Sequence, residues 1–161
     1  MPLIKAGAVI ADPFTRIADD APFPSEGGAI VSLTRFRKDR DALLARNAPV
    51  GVQLASSESP EELGDDVHHL SVVVIEFPSF TDGRGFSWAR MLRTRLGFTG
   101  EVRATGNFIF DQLNYLHRTG FDAFDCNFTL EQFRRAFSEM SAVYQPSADG
   151  RKTIRDLRAG K

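Results

Sequence analysis

The stretch SVVVIEFPSFTDGRGFSWARMLRTRLGF, residues 71–98, carries the clearest secondary-structure signal of the chain. Its first seven residues form a nearly continuous β-branched run, which is typical of a strand covered on both faces. Further on, Trp88, Leu92 and Leu96 recur at helical spacing and share one face, and Gly97 can end the helix in the left-handed conformation. The stretch therefore predicts a buried strand followed by an amphipathic helix.

The same alternation extends in both directions from this stretch. Upstream, the pattern predicts a strand, a helix, a strand and a helix over residues 29–36, 37–47, 50–56 and 59–70, the last with Ser59 and Glu62 as a capping box. Downstream, it predicts a strand over 101–106, a helix over 107–120 with Ile109 inward, a strand over 121–126, and a helix over 129–144 whose apolar stripe includes Met140 and Tyr144.

Five strands alternating with five helices imply parallel pairing through right-handed crossovers. We expect an α/β domain with a five-stranded, mainly parallel sheet flanked by helices, wound on both faces, with a partial TIM-barrel-like arrangement as the alternative. Residues 1–28 are expected to form a small β-hairpin and a linker, 29–145 the single α/β domain, and 146–161 a polar, weakly packed C-terminal tail.

Composition narrows the classes of function. The formal net charge of -1 gives no general field for nucleic acid, and no apolar run reaches the length of a membrane span. Cys126 is the only cysteine, which excludes an internal disulfide and a cysteine-based metal site. We expect a cytoplasmic protein without a metal site or a membrane partner.

The carboxyl ends of parallel strands gather at one edge of a sheet, where ligands bind in α/β folds. The side chains expected at that edge are Gln53, Ser56, Ser57, Glu58, Glu76, Asp82, Arg84, Thr105, Asn107, Asp125, Cys126 and Asn127, together with Gly83, Gly85 and Gly106. Glu76 and Asp82 are candidates for a general acid and base, or for structural pairing with an arginine. Cys126 is expected to be a buried structural thiol.

The DGRG turn, residues 82–85, has two interpretations. Its glycines permit positive φ and close backbone approach, and Arg84 at a helix N-terminus suits an anion such as sulfate or phosphate. Alternatively, the segment is a tight turn in which Arg84 pairs with Asp82 or Glu76. On the following helix, Arg90 and Arg93 give a basic face that is either solvated or docks an acidic partner.

The run FPSFTDGRGFSWARMLRTRLGFTGEVRATGNFIFDQLNYLHRTGFDAF, residues 77–124, resembles a bacterial family of unknown function that is loosely labelled as an oxidoreductase involved in sulfite reduction. The resemblance extends to AIVSLTRF, VGVQLAS and LIKAG. It implies a role in sulfur assimilation beside sulfite reductase. The chain has no motif for sirohaem, flavin or an iron–sulfur cluster, and we therefore expect no cofactor held by this chain.

Two hypotheses follow from the residues and the resemblance. In the first, the protein is an accessory protein that docks onto sulfite reductase or its electron donor, with Arg90 and Arg93 as contacts. In the second, it is a binding protein or enzyme for a small oxyanion or phosphorylated metabolite, whose anion-binding candidates are Asp82, Gly83, Arg84, Gly85, Ser87, Arg103 and Gln112. A homo-oligomer is left open.

Overall fold

The computed structural model describes residues 2–138 and 143–160. Their strands are β1 (Leu3–Lys5), β2 (Ala8–Ile10), β3 (Phe14–Arg16), β4 (Gly28–Ser32), β5 (Val50–Leu54), β6 (Val72–Phe77), β7 (Glu101–Gly106) and β8 (Ala123–Asp125). Their α-helices are α1 (Leu33–Lys38), α2 (Arg40–Leu44), α3 (Arg84–Thr94), α4 (Leu113–Thr119), α5 (Leu130–Ser138) and α6 (Ile154–Arg158). Two segments, Pro60–His69 and Phe110–Gln112, are 3₁₀-helical.

All eight strands belong to one sheet, in the order β2-β1-β8-β7-β6-β5-β4-β3. Strands β3 to β8 run parallel in chain order, and β1 is antiparallel to both β8 and β2. Right-handed crossovers between strands in chain order place their helices on one face of the sheet. The sheet therefore curls into a half-barrel, with helices on its convex face and a concave face opposite.

Alternation along each strand divides the side chains between the two faces. The convex set, which includes Val73, Ile75 and Phe77 of β6, joins the main hydrophobic cluster with Leu92 of α3 and Leu113 of α4. On the concave face, Ile30, Val72 and Val74 form a second, smaller cluster against Phe14. The β-branched run of β6 is thus buried on both faces, as its sequence predicts.

The prediction of a five-stranded sheet was wrong. The N-terminal hairpin is present, but it extends the main sheet because β1 pairs with β8. Residues 14–16, placed in the stretch predicted as a small hairpin, form a separate strand, β3, and pair with β4. The chain-order arrangement also corrects the expectation of winding on both faces and agrees with the barrel-like alternative. Three-residue strands carry too little alternation to be recognised from sequence.

One predicted strand and two predicted helices have different limits or a different type. The strand predicted over residues 29–36 ends at Ser32, because its hydroxyl accepts the N–H of Arg35 at 3.0 Å and caps α1. A break at Asp39 separates α1 from α2. The capping box of Ser59 and Glu62 is confirmed, but the segment after it is 3₁₀-helical with non-helical backbone at Gly64.

The C-terminal part also departs from the predicted pattern. Ile109 and Tyr144, both expected to face inward, are 41% and 79% exposed. Met140, also assigned to the inward stripe, lies outside the described residues. The described part of the tail is anchored by an ion pair of 3.0 Å between Arg118 Nε and Asp149 Oδ2, whose side chains are largely buried.

Among the residues that the structure describes, no helix has the length and apolar character needed to cross a membrane.

Candidate functional site

The middle of the concave face is closed by a buried charge network around Arg103. The Arg103 side chain has no solvent exposure, and it forms ion pairs with Asp12 at 2.6 Å and Glu101 at 2.8 Å. Burial alone would lower the pKa of Arg103, but the hydrogen bonds and charges of the two carboxylates outweigh burial and raise it. The ring of Phe14 lies 5.7 Å from the guanidinium. These contacts fix the N-terminal segment across the concave face.

One step closer to the carboxyl ends of the strands lies a second polar layer. Arg16 of β3 donates through Nη2 to Asp125 Oδ2 of β8 at 2.8 Å and to Thr105 Oγ1 of β7 at 3.4 Å. Its Nε donates to Gln53 Oε1 of β5 at 3.2 Å. A single guanidinium thus connects three other strands of the parallel sheet. This connection requires the curl that brings the sheet margins towards each other.

Beside this layer, a cleft of about 310 Å³ opens at the carboxyl ends of β4, β5 and β6. We call it the carboxyl-end cleft. Its lining combines one guanidinium, three carboxylates, polar side chains and an apolar wall, contributed by Arg16, Ile17, Asp19, Ile30, Val31, Ser32, Gln53, Ala55, Glu58 and Glu76. A concave site with a few converging polar groups at this end of a parallel sheet is where α/β folds bind small molecules.

Each carboxylate of the cleft is held by one neutral donor. The Ser32 hydroxyl donates to Asp19 Oδ1 at 2.7 Å, and the Ala55 N–H donates to Glu58 Oε2 at 2.7 Å. Gln53 Nε2 donates to Glu76 Oε2 at 3.1 Å. Within residues 2–138 and 143–160, no cluster of His, Cys, Asp and Glu suits a metal ion. Each of the three carboxylates thus keeps one oxygen that accepts no hydrogen bond from the described residues.

The contacts of Arg84 favour the interpretation of the DGRG segment as a tight turn in which Arg84 pairs with Asp82. Arg84 binds Asp82 through Nη2 at 2.7 Å and Nε at 3.0 Å, and its Nη2 also donates to Ser56 Oγ at 2.9 Å. The hydrogen bond from Arg84, followed by one from Ser56, holds the pKa of Asp82 well below its usual range. The guanidinium is thus already neutralised by an adjacent carboxylate, which weakens its attraction for an anion.

Neither glycine of this turn has a positive φ, and only Gly85 has a packing role. Gly83 has φ of -86°, and Gly85 lies inside α3 and is buried. A Cβ on Gly85 would lie 2.5 Å from Cζ of Phe77, whereas one on Gly83 would meet nothing closer than Phe86 at 3.9 Å. Gly85 therefore permits the close contact of α3 with β6.

The remaining anion-binding candidates do not converge on the turn. Arg103 lies within the concave face, and Ser87 is exposed on α3. Gln112 lies closer, because its Nε2 donates to the carbonyl of Phe80 at 2.9 Å while its Oε1 accepts the N–H of Ile109 at 3.1 Å. It thereby connects the loop after β6 to the loop after β7, which is a structural role.

The two docking arginines differ in their surroundings. Arg93 donates to the carbonyls of Phe98, Gly100 and Gly120 and pairs with Asp122, so its charge is used inside the fold. Arg90 is exposed on α3. The basic face expected from sequence therefore reduces to Arg90.

Three large apolar side chains are exposed on the loops after β6 and β7 and on α4. The side chains of Phe80, Ile109 and Tyr115 are 53%, 41% and 51% exposed. The rings of Phe86 and Tyr115 are 4.9 Å apart, and Gln112 holds the backbones of Phe80 and Ile109 together. We call Phe80, Phe86, Ile109 and Tyr115 the apolar patch. Sequence alone did not indicate it, because Ile109 fits the inward stripe of a helix that begins later than predicted.

The sequence identified part of the polar layer but missed its N-terminal members. Gln53, Glu58, Glu76, Thr105 and Asp125 were expected at the carboxyl edge, and the structure places them there. Asp12, Arg16 and Asp19 were not expected, since they lie in the N-terminal stretch that was predicted only as a small hairpin outside the α/β domain. Arg16 belongs to a strand of only three residues, which gives too short a pattern to identify it from sequence. Cys126, expected to be structural, is buried, and burial raises the pKa of its thiol.

Comparison with known proteins gives one match. The model of a family described as "Bacterial protein of unknown function (DUF934)" matches residues 51–155. The matched region contains β5 apart from its first residue, β6 to β8, the DGRG turn and the apolar patch. No curated protein and no solved structure matches the chain.

Proposed function

The chain belongs to the bacterial family of unknown function DUF934, and on that premise we propose that it binds a small polar metabolite in the carboxyl-end cleft. The observation that carries this proposal is the cleft itself: about 310 Å³, at the carboxyl ends of parallel strands, with Glu76 and Arg16 in its lining. The oxyanion alternative at the DGRG turn has less support, because Arg84 is already paired with Asp82.

A substitution that fills the cleft tests the proposal. Ala55 lines the cleft and is exposed, so Ala55→Trp adds volume there without disturbing the core. Ala42→Trp is the matched control, because Ala42 is exposed on α2 and does not line the cleft. Incubation with a bacterial metabolite extract, followed by native mass spectrometry, should show a small molecule retained by the wild type and Ala42→Trp but lost from Ala55→Trp. Equal retention by all three would refute the proposal.

We also propose that the protein serves bacterial sulfite reduction as an accessory protein. The support for this process is the resemblance of residues 77–124 to the family labelled for sulfite reduction. A deletion strain should grow with sulfide or cysteine as the sulfur source and grow poorly with sulfate. Equal growth on all three sources would remove the sulfur assignment.

The apolar patch supports a docking role within that process. Exposed aromatic side chains and arginines are typical of protein interfaces, and Arg90 lies one turn after Phe86 on α3. We expect sulfite reductase or its electron donor to be the partner, and Tyr115→Ser or Arg90→Glu to weaken its capture from sulfate-grown cells. Tyr144→Ser is the control, since Tyr144 is 79% exposed and lies outside the patch. Capture that is unchanged in both patch variants would contradict this role.

A further inference from the structure

The carboxyl-end cleft has an excess of negative charge. Asp19, Glu58 and Glu76 line it, and none of the three forms an ion pair with any residue that the structure describes. Arg16 is the cation in the lining, and Asp125 already pairs with it. Like charges in one cleft repel each other and disfavour an anionic occupant. The cleft therefore favours a ligand that brings positive charge.

The oxygens of these carboxylates also specify hydrogen-bond donors. Each carboxylate uses one oxygen to accept from Ser32, Ala55 or Gln53, and its other oxygen accepts no hydrogen bond from the described residues. An ionised carboxylate can only accept, and its strongest hydrogen bonds come from charged donors. A protonated amine supplies three donors on one charged atom. Glu58 and Glu76 are half-buried and so less screened by solvent than the exposed Asp19, and Glu76 lies on strand β6 itself.

Arg16, in contrast to the carboxylates, requires a ligand group that accepts hydrogen bonds. Its Nε and Nη2 are used by Gln53, Thr105 and Asp125, while its Nη1 donates to no described residue. Because Asp125 already pairs with Arg16, this N–H acts as a hydrogen-bond donor and adds little attraction for a free anion. A ligand beside it should bring an acceptor such as a carboxylate oxygen. The side chains of Ile17 and Ile30 add an apolar wall to the same cleft.

We propose that the carboxyl-end cleft binds a small zwitterion of the α-amino acid class, with its ammonium group at Glu76 and its carboxylate at Arg16. This inference rests on the proposed function of the cleft and names its ligand. The volume of about 310 Å³ admits a molecule of this size. Sulfate and phosphate carry negative charge and no positive charge, so the carboxylates that line the cleft disfavour them as ligands.

Three related probes separate the contributions of the two charged groups, since ethylamine is L-alanine without its carboxylate and propionate is L-alanine without its ammonium group. L-Alanine carries both, ethylamine carries only the amine, and propionate carries only the carboxylate. Titrated into the full chain at constant ionic strength and followed by NMR, L-alanine should bind most tightly, ethylamine more weakly and propionate least. Glu76→Gln should raise the Kd of L-alanine about tenfold or more, as expected for loss of one charge-assisted hydrogen bond.

Glu131→Gln is the matched control, because Glu131 is exposed in the first turn of α5 and outside the cleft. It should leave the Kd of L-alanine unchanged. Propionate binding more tightly than ethylamine, or Glu76→Gln binding L-alanine as tightly as the wild type, would overturn the inference. If no probe binds but Ala55→Trp still loses a metabolite retained by the wild type, the ligand class fails and the proposed function stands. If neither experiment shows binding, both fail.

Discussion

Arg16 and Asp125 form an ion pair of 2.8 Å, although they lie on the first and last strands of the parallel part of the sheet. In a flat sheet these strands would be about 24 Å apart, because neighbouring strands are spaced about 4.8 Å. The contact between these two side chains therefore shows that the sheet is strongly curled. It also closes the layer beside the carboxyl-end cleft, which makes the shape of the cleft depend on a contact between β3 and β8.

We expect Arg16→Gln to destabilise the protein by about 1–3 kcal/mol, the usual range for leaving a buried polar group without its partner. Asp125 is the buried member of the pair, with 7% side-chain exposure against 45% for Arg16. Urea unfolding followed by the fluorescence of Trp88, the only tryptophan, measures the change. Arg90→Gln is the control, because Arg90 is exposed on α3.

The double variant Arg16→Gln/Asp125→Asn separates the ion pair from other effects of the substitution. Because it also removes the stranded charge, its loss of stability should be smaller than the sum of the two single losses. Strict additivity would contradict a direct interaction between the two residues.

Arg103→Met is expected to cost about 3–5 kcal/mol, as does loss of one partner from a buried charge network. Methionine fills a similar volume, so the loss reports the charges of Asp12 and Glu101 rather than a cavity. Arg103→Lys should be intermediate, because an ammonium lacks the fork that Arg103 uses towards Asp12. The same urea titration measures both variants. A stability of Arg103→Met equal to that of the wild type would show that the network is replaceable by apolar packing.

The parts of the fold predicted correctly are those whose signals are local and long. The run of β6 is buried on both faces, and the capping box at Ser59 forms as expected, since both depend on residues near each other in sequence. The curl could not be predicted in this way. It depends on Arg16 and Asp125, which are 109 residues apart.

The residues of the candidate site show the same difference between local signals and contacts that are distant in sequence. Glu76 and Gln53 were expected at the carboxyl edge because their strands are recognisable. Their partner Arg16 lies in a three-residue strand that is defined only by its pairing with β4. The DGRG turn was given an anion-binding interpretation from its composition, and composition does not reveal that Arg84 and Asp82 neutralise each other.

Gly85→Ala should destabilise the protein by about 1–3 kcal/mol, the cost of adding volume to a filled core. The added Cβ would lie 2.5 Å from the ring of Phe77, which is only 1% exposed and cannot move aside freely. Gly83→Ala is the matched control in the same turn. Because space is open there and φ is -86°, it should be neutral or stabilising by up to about 1 kcal/mol.

Thermal unfolding of Gly83→Ala and Gly85→Ala shows whether only Gly85 is required for packing or whether both glycines are required by the turn. Phe77→Leu combined with Gly85→Ala should lose less stability than the two single losses add up to, because the smaller side chain leaves room for the Cβ. Equal losses from Gly83→Ala and Gly85→Ala would contradict the packing explanation.

The Asp12–Arg103 contact predicts a stability that falls at acid pH. Desolvation alone would raise the pKa of Asp12, but hydrogen bonds from Arg103 and from the Phe14 N–H, with the charges of Arg103 and Arg16, lower it. A carboxyl whose pKa is lower in the folded than in the unfolded state stabilises the fold above its unfolded pKa, about 3.9 for aspartate. This stabilisation is lost as pH falls through the folded pKa.

The comparison of wild type with Asp12→Asn isolates that contribution. The difference in their free energies of unfolding should be constant above about pH 5 and should shrink steadily below about pH 4. Urea titrations across this range measure it, with Asp111→Asn as the control, because Asp111 is exposed in the Phe110–Gln112 turn. A difference that stays constant down to about pH 2 would mean that Asp12 has the same pKa in both states, and that its contact with Arg103 does not fix the N-terminal segment across the concave face.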